Sequence, residues 1–177
     1  MLKIAITQPT AIDGEAAAIQ RLLAEGFDIV HLRKPDADIR YCRELLRQLT
    51  AIERGKIVIH DYFELYAEFT LRGVHINRNI THLPNGYCGS RTRSCHSFEE
   101  IIRYKPTHDY LFLSPIFDSL SKRGYCSAFS HADLQKASDE GVIDERVIAL
   151  GGVTPDKFSY LESLHFGGVA MLGAIWQ

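Results

Sequence analysis

Short apolar runs recur along this chain and are separated by stretches with helical periodicity. Runs without alternation between apolar and polar positions are typical of strands buried on both faces, as in a parallel sheet under helices. The pattern predicts strands at Leu2–Thr7, Asp28–Arg33, Lys56–Asp61, Gly73–Asn77, Arg91–Cys95, Asp109–Ser114, Val147–Leu150 and Gly168–Leu172. The fifth of these is unusually polar for a buried strand.

The segments between the predicted strands carry helix start and stop signals. Asp13 is a candidate cap for a helix that stops at Gly26, and Asp36–Arg54 is amphipathic and followed by Gly55. Other helices are predicted at Phe63–Leu71, after Ser97 with Glu100 at capping-box spacing, from Ser130 to Glu140, and after the cap Thr154 and Pro155. The residues between the fourth and fifth strands show no helical period, and no helix follows the eighth strand.

Strands alternating with helices, without a linker or a change in composition, predict a single α/β domain over residues 1–177. The expected fold is a (β/α)8 TIM barrel whose outer layer is reduced, with the fourth and the final helix short or missing. That reduction agrees with a length of 177 residues, because such barrels usually need about 200 or more. An open doubly wound sheet remains the alternative.

Composition narrows the classes of partner. A net charge of −2 and a pI of about 6.4 give no reason to expect nucleic acid or an acidic membrane surface. No apolar run approaches the roughly 18 residues of a membrane span, and the N-terminal apolar segment is too short for a secretion signal. Cys42, Cys88, Cys95 and Cys126 form no CxxC pair. Reduced thiols and a cytoplasmic location are therefore expected.

Glycine loops follow the last two predicted strands. Gly151 and Gly152 follow the seventh strand, and Gly173 follows the eighth. Loops at these two positions form the usual phosphate site of a (β/α)8 barrel, because glycine lets the backbone approach an anion closely. The alternative is that these glycines only close tight turns.

Polar residues gather at the carboxyl ends of the predicted strands, where the active sites of such barrels lie. They are His31, Arg33, Lys34, His60, Asp61, His75, Asn77, Arg78, Ser94, His96, Ser119, Ser121 and Lys122. This set favours an anionic substrate, with Arg33 and Lys122 binding phosphate. Solvated loop charges are the alternative for each cation.

Histidines stand out among these residues: His31, His60, His75 and His96. Together with Asp61 they raise the possibility of a metal site. No HxH or HExxH spacing is present, however, and single histidines at strand ends more often hydrogen-bond a neighbour. Hydrogen bonding is therefore the preferred interpretation.

The motifs, taken in order, cover nearly the whole chain. They are VHLRK, IHDYFELYA, GVHI, RSCHSFEEI, DYLFLSPIFDSLSK, VIALGGVTPDKF and GGVAMLGAI. In this order and spacing the chain resembles the thiamine phosphate synthase family, and especially its thiazole tautomerase branch (TenI). The resemblance implies a barrel that binds a phosphorylated thiazole, with the phosphate held by the backbone amides of Gly151, Gly152, Leu172 and Gly173. It also implies substrate-binding roles for Lys34, His60, Ser119, Ser121 and Lys122.

The resemblance leaves two reactions open. A synthase joins a pyrimidine methyl pyrophosphate to the thiazole and needs magnesium. Asp61 matches one of its magnesium ligands, whereas Ile80 stands where a second acid belongs. Lys34-Pro35 replaces a Glu-Lys pair, and His60 replaces an asparagine. The tautomerase branch needs no cofactor, so magnesium is expected only if the chain is a synthase.

The tautomerase moves a proton on a thiazole carboxylate phosphate, which suits an imidazole. By resemblance, His96 is the general acid/base, and Arg33 and Ser94 orient the substrate. The alternative is that His96 merely caps the helix that follows. The favoured expectation is thus a thiazole tautomerase of thiamin biosynthesis, with the synthase as first alternative.

Two further alternatives remain. A non-catalytic paralogue that binds thiazole phosphate or thiamine phosphate is compatible with the missing helices. An isomerase or epimerase of sugar phosphates is weaker, since it would require paired catalytic acids at strand ends and only Asp61 is present. An apolar surface left by a missing helix would also allow a homo-oligomer.

Overall fold

The computed structural model describes residues 1–77, 83, 86–118 and 128–176. Its strands form a closed parallel barrel in the order β1 to β8. The strands are β1 Leu2–Ile6, β2 Ile29–Leu32, β3 Ile57–Ile59, β4 Gly73–Ile76, β5 Ser90–Cys95, β6 Tyr110–Leu113, β7 Val147–Leu150 and β8 Gly168–Met171. The predicted (β/α)8 barrel with a reduced helix layer is confirmed.

Helices alternate with these strands. They are α1 Glu15–Ala24, α2 Ile39–Arg47, α3 Ala51–Arg54, α4 Glu64–Phe69, α5 Phe98–Tyr104, α6 His131–Asp139 and α7 Phe158–Ser163. Short 3-10 turns occur at Lys105–Thr107 and Pro155–Lys157. None of the helices in the described ranges has the length and apolar character that a membrane crossing requires.

The chain packs as two compact units, residues 4–91, and residues 92–177 together with Met1–Lys3. In the first unit, β2 pairs in parallel with β1 and β3, and β3 pairs with β4. In the second unit, β6 pairs with β5 and β7, and β7 pairs with β8.

The strands are buried as their apolar runs predicted. β2, β3, β6 and β8 are buried at every position. The polar fifth strand also forms, with Thr92 and Cys95 buried and Arg91 exposed. β5 therefore belongs to the barrel although its sequence lacks an apolar run, because its pairing with β6 satisfies its backbone.

The amphipathic segment predicted as one helix forms two. Asp38 caps α2, and its side chain accepts a hydrogen bond from the Tyr41 amide. Thr50 then leaves helical geometry, with ψ of 164°, and starts α3 through a capping box with Glu53. The prediction was wrong because the apolar period continues across a residue that is itself a good cap.

Two predicted caps also differ from the structure. Gly14, with φ of 70°, occupies the cap position of α1, and Asp13 does not cap it. Thr154 makes no capping bond from its side chain to a backbone amide of the following turn, which starts at Pro155 as a 3-10 turn before α7. The missing helices agree with expectation where the chain is described: residues 77, 83 and 86–89 are not helical, and residues 172–176 form turns.

Two cysteines lie in the core. Burial raises the pKa of the Cys42 thiol to about 11 and that of the Cys95 thiol to about 12. Cys88 is exposed. At pH 8 a thiol with a pKa of about 12 is ionised in only about one molecule in ten thousand, and the thiolate is the reactive form.

We expect the native protein to show one reactive thiol at pH 8 in a Cys126→Ser background, with the other two reacting only after unfolding. The measurement is the stoichiometry of a chromogenic disulfide reagent before and after adding guanidinium chloride. Cys88→Ser in the same background should abolish the fast phase. Rapid labelling of Cys95 in the native state would contradict its burial.

Candidate functional site

Three histidines come together at the carboxyl ends of β2, β3 and β4. His31 lies in β2, His60 directly follows β3, and His75 lies in β4. The register places His31 opposite Val58 and Val74 opposite Ile59. Side chains alternate along a strand, so all three imidazoles project from the same face of the sheet.

These imidazoles are in mutual contact and shielded from water. The side chains of His31, His60 and His75 are buried, and their ring nitrogens approach within 4.8 Å of one another. His31 Nδ1 lies 2.8 Å from His60 Nε2, and the rings of His60 and His75 stack at 4.1 Å. The expected hydrogen bond between strand-end histidines is thus present.

Burial keeps His31 and His60 neutral. Loss of hydration, followed by repulsion from His75, holds the pKa of both His31 and His60 well below the usual value for histidine. Smaller effects come from the guanidinium groups of Arg72 on His31 and Arg33 on His60. His31 and His60 therefore offer nitrogen lone pairs rather than positive charge.

The predicted cation at Lys34 has a different role. Its side chain is 1% exposed, and its ammonium donates to the carbonyls of Gln8 and Thr10 and to Glu15 Oε1. These three bonds use all three ammonium protons. The prediction that Lys34 binds substrate does not fit the structure, because the side chain is buried as the partner of an equally buried carboxylate.

This buried ion pair is expected to matter for stability. Glu15→Gln leaves the Lys34 charge without its counterion, and breaking a buried pair typically costs about 3–5 kcal/mol. The measurement is the free energy of unfolding in urea. Glu68→Gln is the matched control, because Glu68 pairs with Arg43 while 38% exposed and should cost less than about 1 kcal/mol. Equal losses in the two variants would contradict the assigned role.

Arg33 and Asp61 are the sequence neighbours of Lys34 and His60. Arg33 is exposed just after β2, and its backbone amide donates to Thr7 Oγ1 at 2.9 Å. Asp61 follows His60, and its Oδ2 accepts from the Lys34 amide at 3.0 Å. The side chain of Arg33 is therefore open to solvent, and its binding of an anionic ligand stays a prediction.

Magnesium, which a synthase would need, is a poor match for this donor set. Mg²⁺ prefers oxygen ligands, usually carboxylates with substrate phosphates and water. Asp61 supplies one carboxylate, already bonded to a backbone amide, and its neighbours His60 and His31 supply nitrogen. The described residues at the ends of β2, β3 and β4 do not form a magnesium site of the synthase type.

His96 lies at the carboxyl end of a strand in the second unit. It directly follows β5, and its Nδ1 lies 2.9 Å from the carbonyl oxygen of Ser114, which directly follows β6. A carbonyl oxygen only accepts, so Nδ1 carries the proton and the lone pair of the neutral ring lies on Nε2. The exposed ring of His96 can thus act as a base through Nε2.

The backbone beside His96 is also fixed. Ser97, not His96, caps α5, with its Oγ accepting from the Glu100 amide at 3.3 Å. The Glu100 carboxylate returns to the amide of His96 at 2.7 Å, one residue earlier than in a full capping box. The alternative of His96 as a helix cap is therefore wrong.

The glycine loop after β7 has left-handed backbone geometry. Gly151 and Gly152 have φ of 96° and 61°. A Cβ on Gly152 would lie 2.3 Å from the Asp118 carbonyl oxygen, and one on Gly151 would lie 2.9 Å from Pro115 Cα. Only glycine fits both the backbone angles and the space.

This loop and the one after β8 present backbone amides. Among the residues that the structure describes, none accepts a hydrogen bond from the amides of Gly151, Gly152, Leu172 and Gly173. They follow two paired strands, in which Leu150 lies opposite Ala170. Backbone amides arranged in this way can receive the oxygens of an anion.

Two residues that support the candidate site were not predicted from the sequence. Lys157 donates to the Gly152 carbonyl at 2.8 Å and lies 4.2 Å from the centre of the Phe117 ring, so it brings a cation to the glycine loop. Ser114 fixes the tautomer of His96. The cation one turn after Gly151-Gly152 was a usable signal, whereas nothing in the sequence pairs Ser114 with His96. Ser119, Ser121 and Lys122, as well as Arg78 and Ile80, lie outside the described residues.

Comparisons with known proteins identify the family of this chain. The family described as thiamine monophosphate synthase matches residues 4–175. A crystal structure of thiamine phosphate pyrophosphorylase from Bacteroides thetaiotaomicron is 36% identical, with a TM-score of 0.90, over 99% of this chain and 85% of the other. Thiamine phosphate pyrophosphorylase from Pyrococcus furiosus is 18% identical, with a TM-score of 0.75, over 97% and 85%, which shows the fold alone. No curated protein matches this chain.

The family match spans almost all of the described barrel, including the strand ends that carry His60, His96 and the glycine loops. The chain belongs to the thiamine monophosphate synthase family.

Proposed function

We propose that this protein is an enzyme of thiamin biosynthesis that binds a phosphorylated thiazole and transfers a proton on it, as a thiazole tautomerase does. The observation that carries the proposal is the fixed tautomer of His96, which leaves Nε2 of an exposed ring as a base. Family membership supports the ligand class, and the mismatch with magnesium at Asp61 favours a reaction without that metal.

In this mechanism His96 Nε2 accepts a proton from one atom of the conjugated thiazole carboxylate and returns a proton to another atom of the same system. No group leaves and no electron is lost, so the reaction needs no partner. The Ser114 carbonyl accepts from Nδ1–H in both ring states and stabilises the imidazolium that forms between the two steps.

The phosphate would be held by the amides of Gly151, Gly152, Leu172 and Gly173. Lys157 adds positive charge beside the loop while fixing its carbonyl. Ser119, Ser121 and Lys122 remain proposed anion ligands. Arg33 and Ser94 remain proposed as the groups that orient the substrate. His60 is no longer proposed as a phosphate ligand, because its ring is buried against His31 and His75.

Thiamine phosphate synthesis is the second candidate, favoured by the name of the structure that is 36% identical. The test is a pair of assays on one preparation. One follows thiamine phosphate formed from the pyrimidine pyrophosphate, thiazole phosphate and Mg²⁺, and the other follows interconversion of the thiazole tautomers. We expect turnover only in the second, with an active synthase as positive control in the first. Thiamine phosphate formation at the rate of that control would overturn the proposal.

A further inference from the structure

The histidine cluster of β2, β3 and β4 has a donor set that the proposed proton transfer does not use. Its three imidazoles come from adjacent parallel strands, so the positions of their backbones are fixed by the sheet. The side chains of His31, His60 and His75 are 0%, 8% and 5% exposed.

We propose that His31, His60 and His75 bind one divalent transition-metal ion of the Zn²⁺ type. Imidazole nitrogens suit Zn²⁺, Co²⁺ and Ni²⁺, whereas Mg²⁺ and Ca²⁺ require oxygen. This assignment is independent of the proposed tautomerase reaction, since His96 performs that step.

The geometry needs only local adjustment to hold an ion. A tetrahedral Zn²⁺ with Zn–N bonds of about 2.0–2.1 Å keeps its nitrogen ligands about 3.4 Å apart. The present separations include 2.8 Å between His31 and His60, and all lie within 4.8 Å. Binding one ion requires the side chains to turn while the strands stay in place. The rings of His60 and His75 must leave their stacked arrangement, because lone pairs in the planes of stacked rings do not converge. The ion then replaces the His31–His60 hydrogen bond.

The cluster supplies three nitrogen ligands from the protein, one from each imidazole. Three protein nitrogens leave one tetrahedral position for water or an anion. The positive charges of Arg33 and Arg72, which act on this cluster, favour an anion in that position.

The test is Co²⁺ and Zn²⁺ binding to the full chain after treatment with a chelator. We expect one Co²⁺ per chain with the visible absorption bands of a tetrahedral ion, displaced by one equivalent of Zn²⁺. X-ray absorption of the zinc form should show nitrogen ligands at about 2.0–2.1 Å. Both readouts are independent of enzyme activity.

Variants assign the binding to the cluster. His60→Asn should weaken Co²⁺ binding by more than about 100-fold, since loss of an outer partner alone typically costs 10- to 100-fold. His131→Ala removes an exposed histidine of the second unit and should leave the affinity unchanged. His31→Gln and His75→Gln should behave like His60→Asn, and circular dichroism identifies any variant that fails to fold.

Wild-type spectra decide the matter even if every cluster variant unfolds. Absence of tetrahedral Co²⁺ absorption at millimolar metal would overturn the proposal. Binding that survives in a folded His60→Asn variant, or that His131→Ala removes, would equally overturn it.

Discussion

His96→Ala is expected to lower the rate constant of thiazole tautomer conversion by about 10²- to 10⁴-fold, the usual contribution of a general acid/base. The ring of His96 is exposed and lies outside the core, so the fold should persist without it. Binding of the phosphorylated thiazole should change little, because the proposed phosphate ligands are backbone amides. The measurement is kcat and KM for conversion, followed by NMR.

A conservative variant and a matched control sharpen this test. His96→Asn keeps an N–H donor for the Ser114 carbonyl but offers no base, so it should be as inactive as His96→Ala. His131→Ala removes a similarly exposed histidine whose Nδ1 contacts Tyr160 Oη, and it should retain full activity. Wild-type kcat in His96→Asn would show that another group moves the proton.

Gly152→Ala is expected to weaken binding of thiazole phosphate by about 10- to 100-fold, because loss of one hydrogen bond to a charged group costs about 1.5–3 kcal/mol. The new Cβ would lie 2.3 Å from the Asp118 carbonyl oxygen, so the loop must move and its amides turn away from the phosphate. Calorimetric titration of thiazole phosphate measures this change, and unfolded protein would be visible as a reduced number of sites.

Gly141→Ala is the control for backbone strain. Gly141 has φ of 70°, close to the 61° of Gly152, but a Cβ there meets no atom within 4 Å. Both variants should lose about 1–2 kcal/mol of stability from the left-handed backbone, whereas only Gly152→Ala should lose affinity. Equal affinities in the two variants would remove the loop from the proposed phosphate site.

The sequence predicted the barrel because its strands are short apolar runs and its helices carry caps. The split between α2 and α3 was missed although Thr50 and Glu53 form a capping box. The apolar stripe continues past this pair without interruption. Hydrophobic periodicity therefore predicts one helix where the capping residues indicate two. Capping decided the structure.

The site was predictable in location but not in detail. Strand ends identified His96 and Gly152 as candidates because parallel strands place their carboxyl ends together. The burial of Lys34 could not be read from the sequence, since it depends on Glu15 and on carbonyls of the loop after β1. The tautomer of His96 depends on a carbonyl 18 residues away, which strand register alone brings opposite.

The convergence of His31, His60 and His75 likewise follows from register. Spacings of 29 and 15 residues match no local metal motif, yet pairing of adjacent strands places the three side chains on one face. A one-residue shift of β3 would turn His60 to the opposite face. Metal motifs with short spacing therefore miss sites built across a parallel sheet.

Deuterium incorporation tests the central claim most directly. Thiazole carboxylate phosphate is incubated in D2O with wild-type protein and, separately, with His96→Asn, and the ring signals are followed by NMR. The exposed imidazolium of His96 can exchange its proton with D2O before it returns one to the thiazole. The wild type should therefore catalyse both tautomer conversion and deuterium uptake, and His96→Asn neither. Unchanged tautomers without deuterium in the wild-type sample, in protein that binds the phosphorylated thiazole, would contradict proton transfer by His96.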